Sequence, residues 1–284
     1  MKSRLLVLLA SFSTAYAETL NATAAVELDE SAKKRRFWLG SLHGMLMVVA
    51  WIFLAPTASM AARYLRSNTS RDNIVKIPNW FLLHRNMNYA AVILSVVSII
   101  VILFSQGWRW TGPWPGMAKD PWGPGSLHSL FGAVSIGLAV LQPILAYFRP
   151  KPSAPQRASF NVWHRGLGVG ALVFALAAMY LVAARFGKRF YAPSQVWFMW
   201  LVYLVGAVVA FIVLESIRRL TITPMRIDSD DSVELDDDKK GYNVSEYEME
   251  RRKLLRRASI VFTTFAGVSG VVAVMILGNM ILKL

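Results

Sequence analysis

The most regular feature of the chain is a series of apolar segments separated by polar stretches. The segments lie at about 38–62, 80–105, 126–148, 161–184, 194–216 and 258–282. A run of about 20 apolar residues is long enough to cross a bilayer as a helix. Lipid offers no hydrogen-bond partners, so these segments must satisfy their own backbone groups, which favours helices. The pattern therefore predicts an all-α fold, a polytopic membrane bundle of six transmembrane helices.

Composition supports this prediction and narrows the chemistry. The 284 residues are 55% hydrophobic, the mean hydropathy is +0.42, and there is no cysteine. Without cysteine the chain cannot form disulfides, thiolate zinc sites, iron–sulfur clusters or a covalent c-type haem, so any haem must be bound non-covalently. We attribute the net charge of +14 to loop residues that orient the helices. Membrane lipid is therefore an expected partner, and nucleic acid is not.

The N-terminus has the pattern of a secretory signal. Residues 1–17, MKSRLLVLLASFSTAYA, combine a basic start, a short apolar run and a small-residue end. Cleavage there would leave a short extracytosolic segment at 18–37. In that segment Asn21, within N-A-T, is a candidate glycosylation site.

The polar stretches set the expected orientation. Residues 217–257 read as a charged cytosolic linker before the additional helix at 258–282. Cations in the remaining loops favour an extracytosolic N-terminus, although the KKRR at 33–36 opposes it. The localisation expected is multi-pass, in the plasma membrane or an endomembrane. In the loop at 105–125, four tryptophans favour an interfacial aromatic belt, with a substrate platform as the alternative.

The four histidines are distributed with unusual regularity. Each lies near the start of a different one of the first four apolar segments: His43, His84, His128 and His164. Because consecutive helices run in opposite directions, His43 and His128 should lie toward one face of the membrane. His84 and His164 should lie toward the other face. The pattern therefore predicts two histidine pairs at different depths.

Two facing imidazoles suit the axial positions of a haem iron within a helical bundle. Zinc fits less well, because two histidines leave it short of ligands. For any single histidine, a hydrogen bond to a neighbouring helix is the alternative. Gly132 and Gly168 each follow a histidine by four residues, where small residues would let a porphyrin pack closely. Close helix packing is the other interpretation of these glycines.

A haem with two imidazole ligands keeps no open coordination position, so it carries electrons. Two such haems at different depths would form an electron path across the membrane. A proton-coupled transporter is less favoured, because the first four segments contain no Asp or Glu. A non-catalytic scaffold or receptor subunit that keeps the fold is the remaining alternative.

With these features, residues 38–216 resemble the cytochrome b561 family. The resemblance is carried by HGMLMVVAW with APTASMAARY, WFLLHRNMNYAAV, SLHSLFGAVSIGLAVLQPILAYFRP and NVWHRGLGVGAL. It is strongest to the branch related to ferric-chelate reductases and to membrane modules that follow DOMON domains. The chain departs from the family's six-helix plan, because its histidines lie on helices 1–4 instead of 2–5. We also expect it to lack the DOMON domain.

The resemblance implies a four-helix core that binds two haem b groups. One would be ligated by His43 and His128 on the outer side, and the other by His84 and His164 on the cytosolic side. The implied enzyme is a transmembrane haem oxidoreductase of the ferric-chelate or monodehydroascorbate reductase type, with cytosolic ascorbate as donor. A homodimer or a separate redox partner protein is left open.

Ascorbate is an anion, so cations beside the cytosolic-side histidines are candidate substrate-binding residues. These are Arg85, Arg165 and, in the preceding loop, Lys76. Snorkelling, topology-setting or pairing with haem propionates are the alternative roles.

Overall fold

The computed structural model describes residues 29–65, 79–114, 120–222 and 237–284. Within these ranges the long elements are α1 (Asp29–Tyr64), α2 (Asn79–Ser105), α3 (Pro124–Tyr147), α4 (Arg157–Arg185), α5 (Pro193–Ile222) and α6 (Asp237–Ile281). The predicted signal peptide at 1–17, Asn21 and Lys76 lie outside the described residues.

The helices have the surface of a membrane protein. In the described part of the chain, six helices are long and apolar enough to cross a membrane, which confirms the prediction. Large apolar side chains point away from the bundle, and Ile93 and Val274 are 61% and 67% exposed. Lipid tails are as apolar as these side chains, so such a surface carries no penalty in a bilayer. The chain is an integral multi-pass membrane protein.

Two helices begin earlier than the apolar pattern predicts, α1 at Asp29 and α6 at Asp237. In α1 the extra turns are polar, and Lys33 pairs with Asp29 one turn earlier at 2.8 Å. Such i,i+4 pairs stabilise exposed helix. The hydropathy pattern therefore identifies the part of each helix that crosses the membrane, and the helix itself extends beyond that part.

Helix α1 contains a π-helical segment, Val49–Leu54, directly before Pro56. Proline lacks an N–H, and its ring crowds the carbonyl four residues earlier. A π-turn is wider and holds one more residue than an α-turn, so it relieves this crowding.

Alanine is the commonest residue in the buried core between α1, α2, α3 and α4. This core consists of Ala50, Trp51, Ala55, Ala91, Ile136, Ala139, Ala171 and Ala175. Small side chains let helix backbones approach closely in a membrane. Two polar side chains at this depth have partners, because Trp51 Nε1 donates to Ser95 Oγ at 3.0 Å and Ser135 Oγ donates to the Ala171 carbonyl at 2.9 Å.

Helix α6 packs against the middle of α1, and helix α5 against its last turn. Near the middle of α1, the end of the Met280 side chain of α6 occupies the space beside Gly44. At its last turn, Arg63 forms an ion pair with Glu215 of α5 at 2.8 Å. Arg218 binds the other oxygen of the same carboxylate at 2.7 Å. The carboxylate, 13% exposed, therefore fixes the end of α1 to α5.

Candidate functional site

The structure brings the four histidines together as two pairs. Pair 1 is His43 of α1 with His128 of α3, with ring centroids 6.3 Å apart and ring planes at 88°. Pair 2 is His84 of α2 with His164 of α4, also at 6.3 Å and with planes at 75°. All four side chains are half-buried. The pairing is the one that alternating helix directions predict.

The separation within each pair fits a metal between the rings. Two imidazoles joined directly by a hydrogen bond would have centroids about 5 Å apart. With a metal ion bound between the two rings, the distance between centroids would be the sum of two metal–nitrogen bonds of about 2 Å and the nitrogen-to-centroid distance of each ring, which is about 6 Å in total. The observed 6.3 Å matches the second arrangement in both pairs. Across the described residues, no three or more His, Asp or Glu side chains gather to hold a metal ion, so each pair offers two ligands.

In three of the histidines, a backbone carbonyl on a neighbouring helix holds Nδ1. The contacts are His43 to Ser98 at 3.1 Å, His84 to Ala58 at 3.0 Å and His128 to Ala178 at 3.1 Å. A carbonyl oxygen can only accept, so each of these contacts favours the neutral ring that carries its proton on Nδ1. Nε2 then keeps a free lone pair, the form in which histidine binds a metal. The Ser98 hydroxyl also lies 2.8 Å from Nδ1 of His43, and the Asn88 amide nitrogen lies 3.2 Å from Nδ1 of His84.

The fourth histidine has a side chain in this position. The amide of Gln142 on α3 lies 2.9 Å from His164 Nδ1. Phe160, one turn earlier on α4, stacks on the His164 ring at 5.5 Å and 12°. The ring plane of His164 is therefore fixed by Phe160, and its Nδ1 by Gln142.

The holding contacts are reciprocal within two helix pairs. Helix α1 carries His43 and the Ala58 carbonyl that contacts His84, while α2 carries His84 and the Ser98 carbonyl that contacts His43. Helices α3 and α4 are related in the same way, because α4 supplies the Ala178 carbonyl to His128 and α3 supplies the Gln142 amide to His164. In α2, α3 and α4, the residue that contacts the other helix's histidine lies 14 residues after the helix's own histidine. This interval is about four helical turns, or about 21 Å. In α1 the interval is 15 residues, His43 to Ala58. The π-helical segment lies within that interval and takes up the extra residue.

Open space also lies beside the pairs. A Cβ on Gly132, one turn after His128, would meet no atom of the chain within 4 Å. A Cβ on Gly168, one turn after His164, would meet only the Gln142 side chain at 3.7 Å. Both glycines therefore leave space beside the histidines, as glycines elsewhere in these helices also do.

At the end of pair 2, two arginines surround Phe81 in the first turn of α2. The guanidinium carbons of Arg85 and Arg149 each lie 5.9 Å from the centre of its ring. Arg149 is also close enough to both rings of pair 2 to interact with them electrostatically. Arg85 was a candidate from the sequence, and Arg149 was not. Arg165 is exposed on α4.

At the end of pair 1, one arginine folds back toward α1. Arg189, in the 3-10 turn Gly187–Arg189, donates from Nη1 to the Phe37 carbonyl at 2.7 Å. Its guanidinium lies against Gly40 and close enough to His43 for an electrostatic interaction. The ring of Phe186 lies 5.5 Å from that of His128. The contact between Arg189 and Phe37 could not be predicted from the sequence, because these two residues are more than a hundred positions apart.

The tryptophan-rich loop also reaches pair 1. It leaves α2 through two left-handed residues, Gly107 and Trp108, with φ of 65° and 60°. Thr111 Oγ1 then lies 2.7 Å from Ser129 Oγ, next to His128. The four indoles are 47–65% exposed, as both interpretations of the loop require: Trp108, Trp110, Trp114 and Trp122.

Comparison with protein families finds a match to a membrane family. The model for eukaryotic cytochrome b561 matches residues 42–186, which include all four histidines and most of α1 to α4. No solved structure matches the chain.

The chain is similar to curated proteins of animals and plants. Ferric-chelate reductase 1 of Mus musculus is 32% identical over 158 residues, 55% of this chain and 24% of the mouse protein. The Homo sapiens protein of that name is 31% identical over 142 residues, 49% and 22% of the two chains. A cytochrome b561 and DOMON domain-containing protein of Arabidopsis thaliana is 26% identical over 157 residues, 55% and 34%. This chain thus covers about a quarter to a third of these relatives' length.

Proposed function

The chain belongs to the eukaryotic cytochrome b561 family, and we propose that it moves electrons across a membrane through two haem b groups. Pair 1, His43 and His128, would hold one haem, and pair 2, His84 and His164, the other. The observation that carries the proposal is the common geometry of the pairs: rings 6.3 Å apart, at opposite ends of the bundle. The names of the relatives support a transmembrane oxidoreductase.

When bound, haem iron supplies one-electron redox chemistry. The residues of the chain do the rest. The two imidazoles of each pair would hold the iron and would keep oxygen and substrate from it. The alanine-rich core between the pairs excludes water. The two levels are about 21 Å apart along the helices, so both are needed for electrons to cross.

We place pair 2 at the cytosolic face and pair 1 at the extracytosolic face. Cations at the pair 2 end support this orientation under the positive-inside rule: Arg63, Arg85, Arg149, Arg157, Arg165, Arg218 and Arg219. The plasma membrane and endomembranes are both consistent with it. Assembly as a homodimer or with a separate redox partner protein remains part of the proposal.

For the donor we propose cytosolic ascorbate, and for the acceptor an extracytosolic ferric chelate or monodehydroascorbate. The mouse and human relatives are named ferric-chelate reductases, which supports the ferric acceptor. An anionic donor needs cations near pair 2, and Arg85 and Arg149 around Phe81 meet that need. Arg149 thus joins Arg85 and Arg165 as a candidate.

The test of the haem proposal is a pyridine haemochrome assay on the purified protein. We expect two haem b per chain, and a reduced-minus-oxidised spectrum of low-spin haem. A haem content near zero would reject the proposal.

Replacing Arg85 and Arg149 together with glutamine should slow reduction by ascorbate about tenfold, the effect of losing about 1.4 kcal/mol of anion binding. Stopped-flow absorbance of the haem measures the rate. Reduction by dithionite, which needs no binding site, should be unchanged. The matched control is Arg185 and Lys188 to glutamine, at the opposite end. An equal rate in both double variants would rule out this donor site.

A further inference from the structure

His164 differs from the other three histidines in what faces its Nδ1. Each of theirs lies against a backbone carbonyl, which can only accept a hydrogen bond. The Ser98 hydroxyl also lies beside Nδ1 of His43, and the Asn88 amide nitrogen beside Nδ1 of His84. In the contacts that the structure describes, Nδ1 of His164 lies against no backbone carbonyl and faces only the side-chain amide of Gln142, which carries both an oxygen acceptor and a nitrogen donor. The proton position on His164 is therefore set by which amide atom points at it.

With the amide nitrogen toward His164, the local hydrogen bonds of the protein are best satisfied. The nitrogen then donates to Nδ1 at 2.9 Å and to the His164 carbonyl at 3.0 Å. The opposite amide oxygen accepts from the Gly168 N–H at 3.2 Å. In this arrangement Nδ1 is an acceptor, so the ring proton sits on Nε2 and blocks the lone pair that would bind a metal.

With the amide oxygen toward His164, the ring is ready to bind. The oxygen accepts from Nδ1–H, and Nε2 keeps its lone pair. The amide nitrogen then lies 3.4 Å from the Leu138 carbonyl, a long contact. The amide orientation favoured by the polypeptide alone and the one required by a metal ligand are therefore opposite.

We propose that Gln142 is a positioning residue that sets the metal-binding form of His164 through the orientation of its amide. This rests on the proposed haem ligation by pair 2. Binding there requires the amide to turn and give up its better hydrogen bonds, whereas pair 1 needs no such change. Pair 2 should therefore hold its haem less tightly than pair 1, and the side chain at 142 should tune its potential.

The experiment compares Gln142→Glu and Gln142→Leu in the full holoprotein. A glutamate has only acceptors toward Nδ1–H, which strengthens the imidazole as a ligand. We expect it to retain two haems per chain and to shift the midpoint potential of the pair 2 haem downward. A leucine cannot accept a hydrogen bond from Nδ1–H of His164, so the metal-binding form of this ring is no longer favoured. We expect the pair 2 haem to be bound about tenfold more weakly and its midpoint potential to shift upward.

Redox titration and the low-spin EPR signal report the two haems separately. The same titration in a His128→Leu background, which retains pair 2 alone, assigns the pair 2 potential. The matched control is Gln195→Leu, an exposed glutamine on α5, which should keep two haems at unchanged potentials.

Each outcome decides the proposal. An unchanged pair 2 potential in both Gln142 variants, with two haems bound, overturns the role of Gln142 and leaves the two-haem proposal standing. Haem loss in both variants alike indicates a structural role only, and also overturns it. A wild-type protein without haem rejects the proposed function itself.

Discussion

Replacing His84 with leucine should reduce the haem content from two per chain to one and stop electron transfer across the membrane. Leucine fills a similar volume but provides no ligand, so His164 would be left alone at pair 2. Electrons entering from that face would then have to cross about 21 Å without a carrier. In vesicles loaded with ascorbate, reduction of external ferricyanide should fall to the rate of protein-free vesicles.

His43→Leu is the matched variant, because it should remove the haem at pair 1 and leave the one at pair 2. Each variant should therefore keep one haem, with a different potential in each. Circular dichroism provides the check that the helices remain. Loss of both haems in each variant would contradict two independent sites, and retention of both would contradict the ligation.

Much of the fold follows from hydropathy and helix direction alone. The six segments correspond to six helices in the described residues. His43 and His128 lie at the same end of the bundle simply because consecutive membrane-spanning helices alternate in direction. These predictions succeed because a bilayer imposes length and direction on every helix.

The groups that hold the histidines could not be predicted in the same way. Three are backbone carbonyls, of Ala58, Ser98 and Ala178, and a carbonyl leaves no mark on the residue type. Gln142 had a signal, because it is a polar residue inside an apolar segment. It also lies 14 residues after His128, the interval that returns a helix to the same face.

The cations show that adjacency in sequence does not by itself determine which charges lie beside the rings of pair 2. Arg165 directly follows His164, but neighbouring residues in a helix point about 100° apart and do not share a face. The exposed position of Arg165 reflects this. Arg149 lies beyond the end of another helix, yet it comes close to both rings of pair 2. Helix packing determines which charges surround the site.

Arg189 should raise the reduction potential of the haem at pair 1. Burial lowers its pKa, but arginine stays charged in proteins. Among the described residues it has no acidic partner, and its contacts are the Phe37 carbonyl and ring. A reduced haem carries one less positive charge than an oxidised haem, so a nearby cation favours the reduced form.

Arg189→Gln should therefore lower the potential of pair 1 and leave pair 2 unchanged. At an effective dielectric constant of about 20, a unit charge about 8 Å from the iron changes the free energy of reduction by about 2 kcal/mol. For a one-electron reduction this corresponds to a shift in potential of roughly 50–100 mV. Redox titration followed by haem absorbance measures the shift. The control is Arg185→Gln, since Arg185 is exposed at the same end of the bundle and solvent screens its charge. Equal shifts in the two variants would show that Arg189 acts only through the general charge of that surface. A larger shift for Arg189 would mean that its fixed contact with α1 makes electron arrival at pair 1 more favourable.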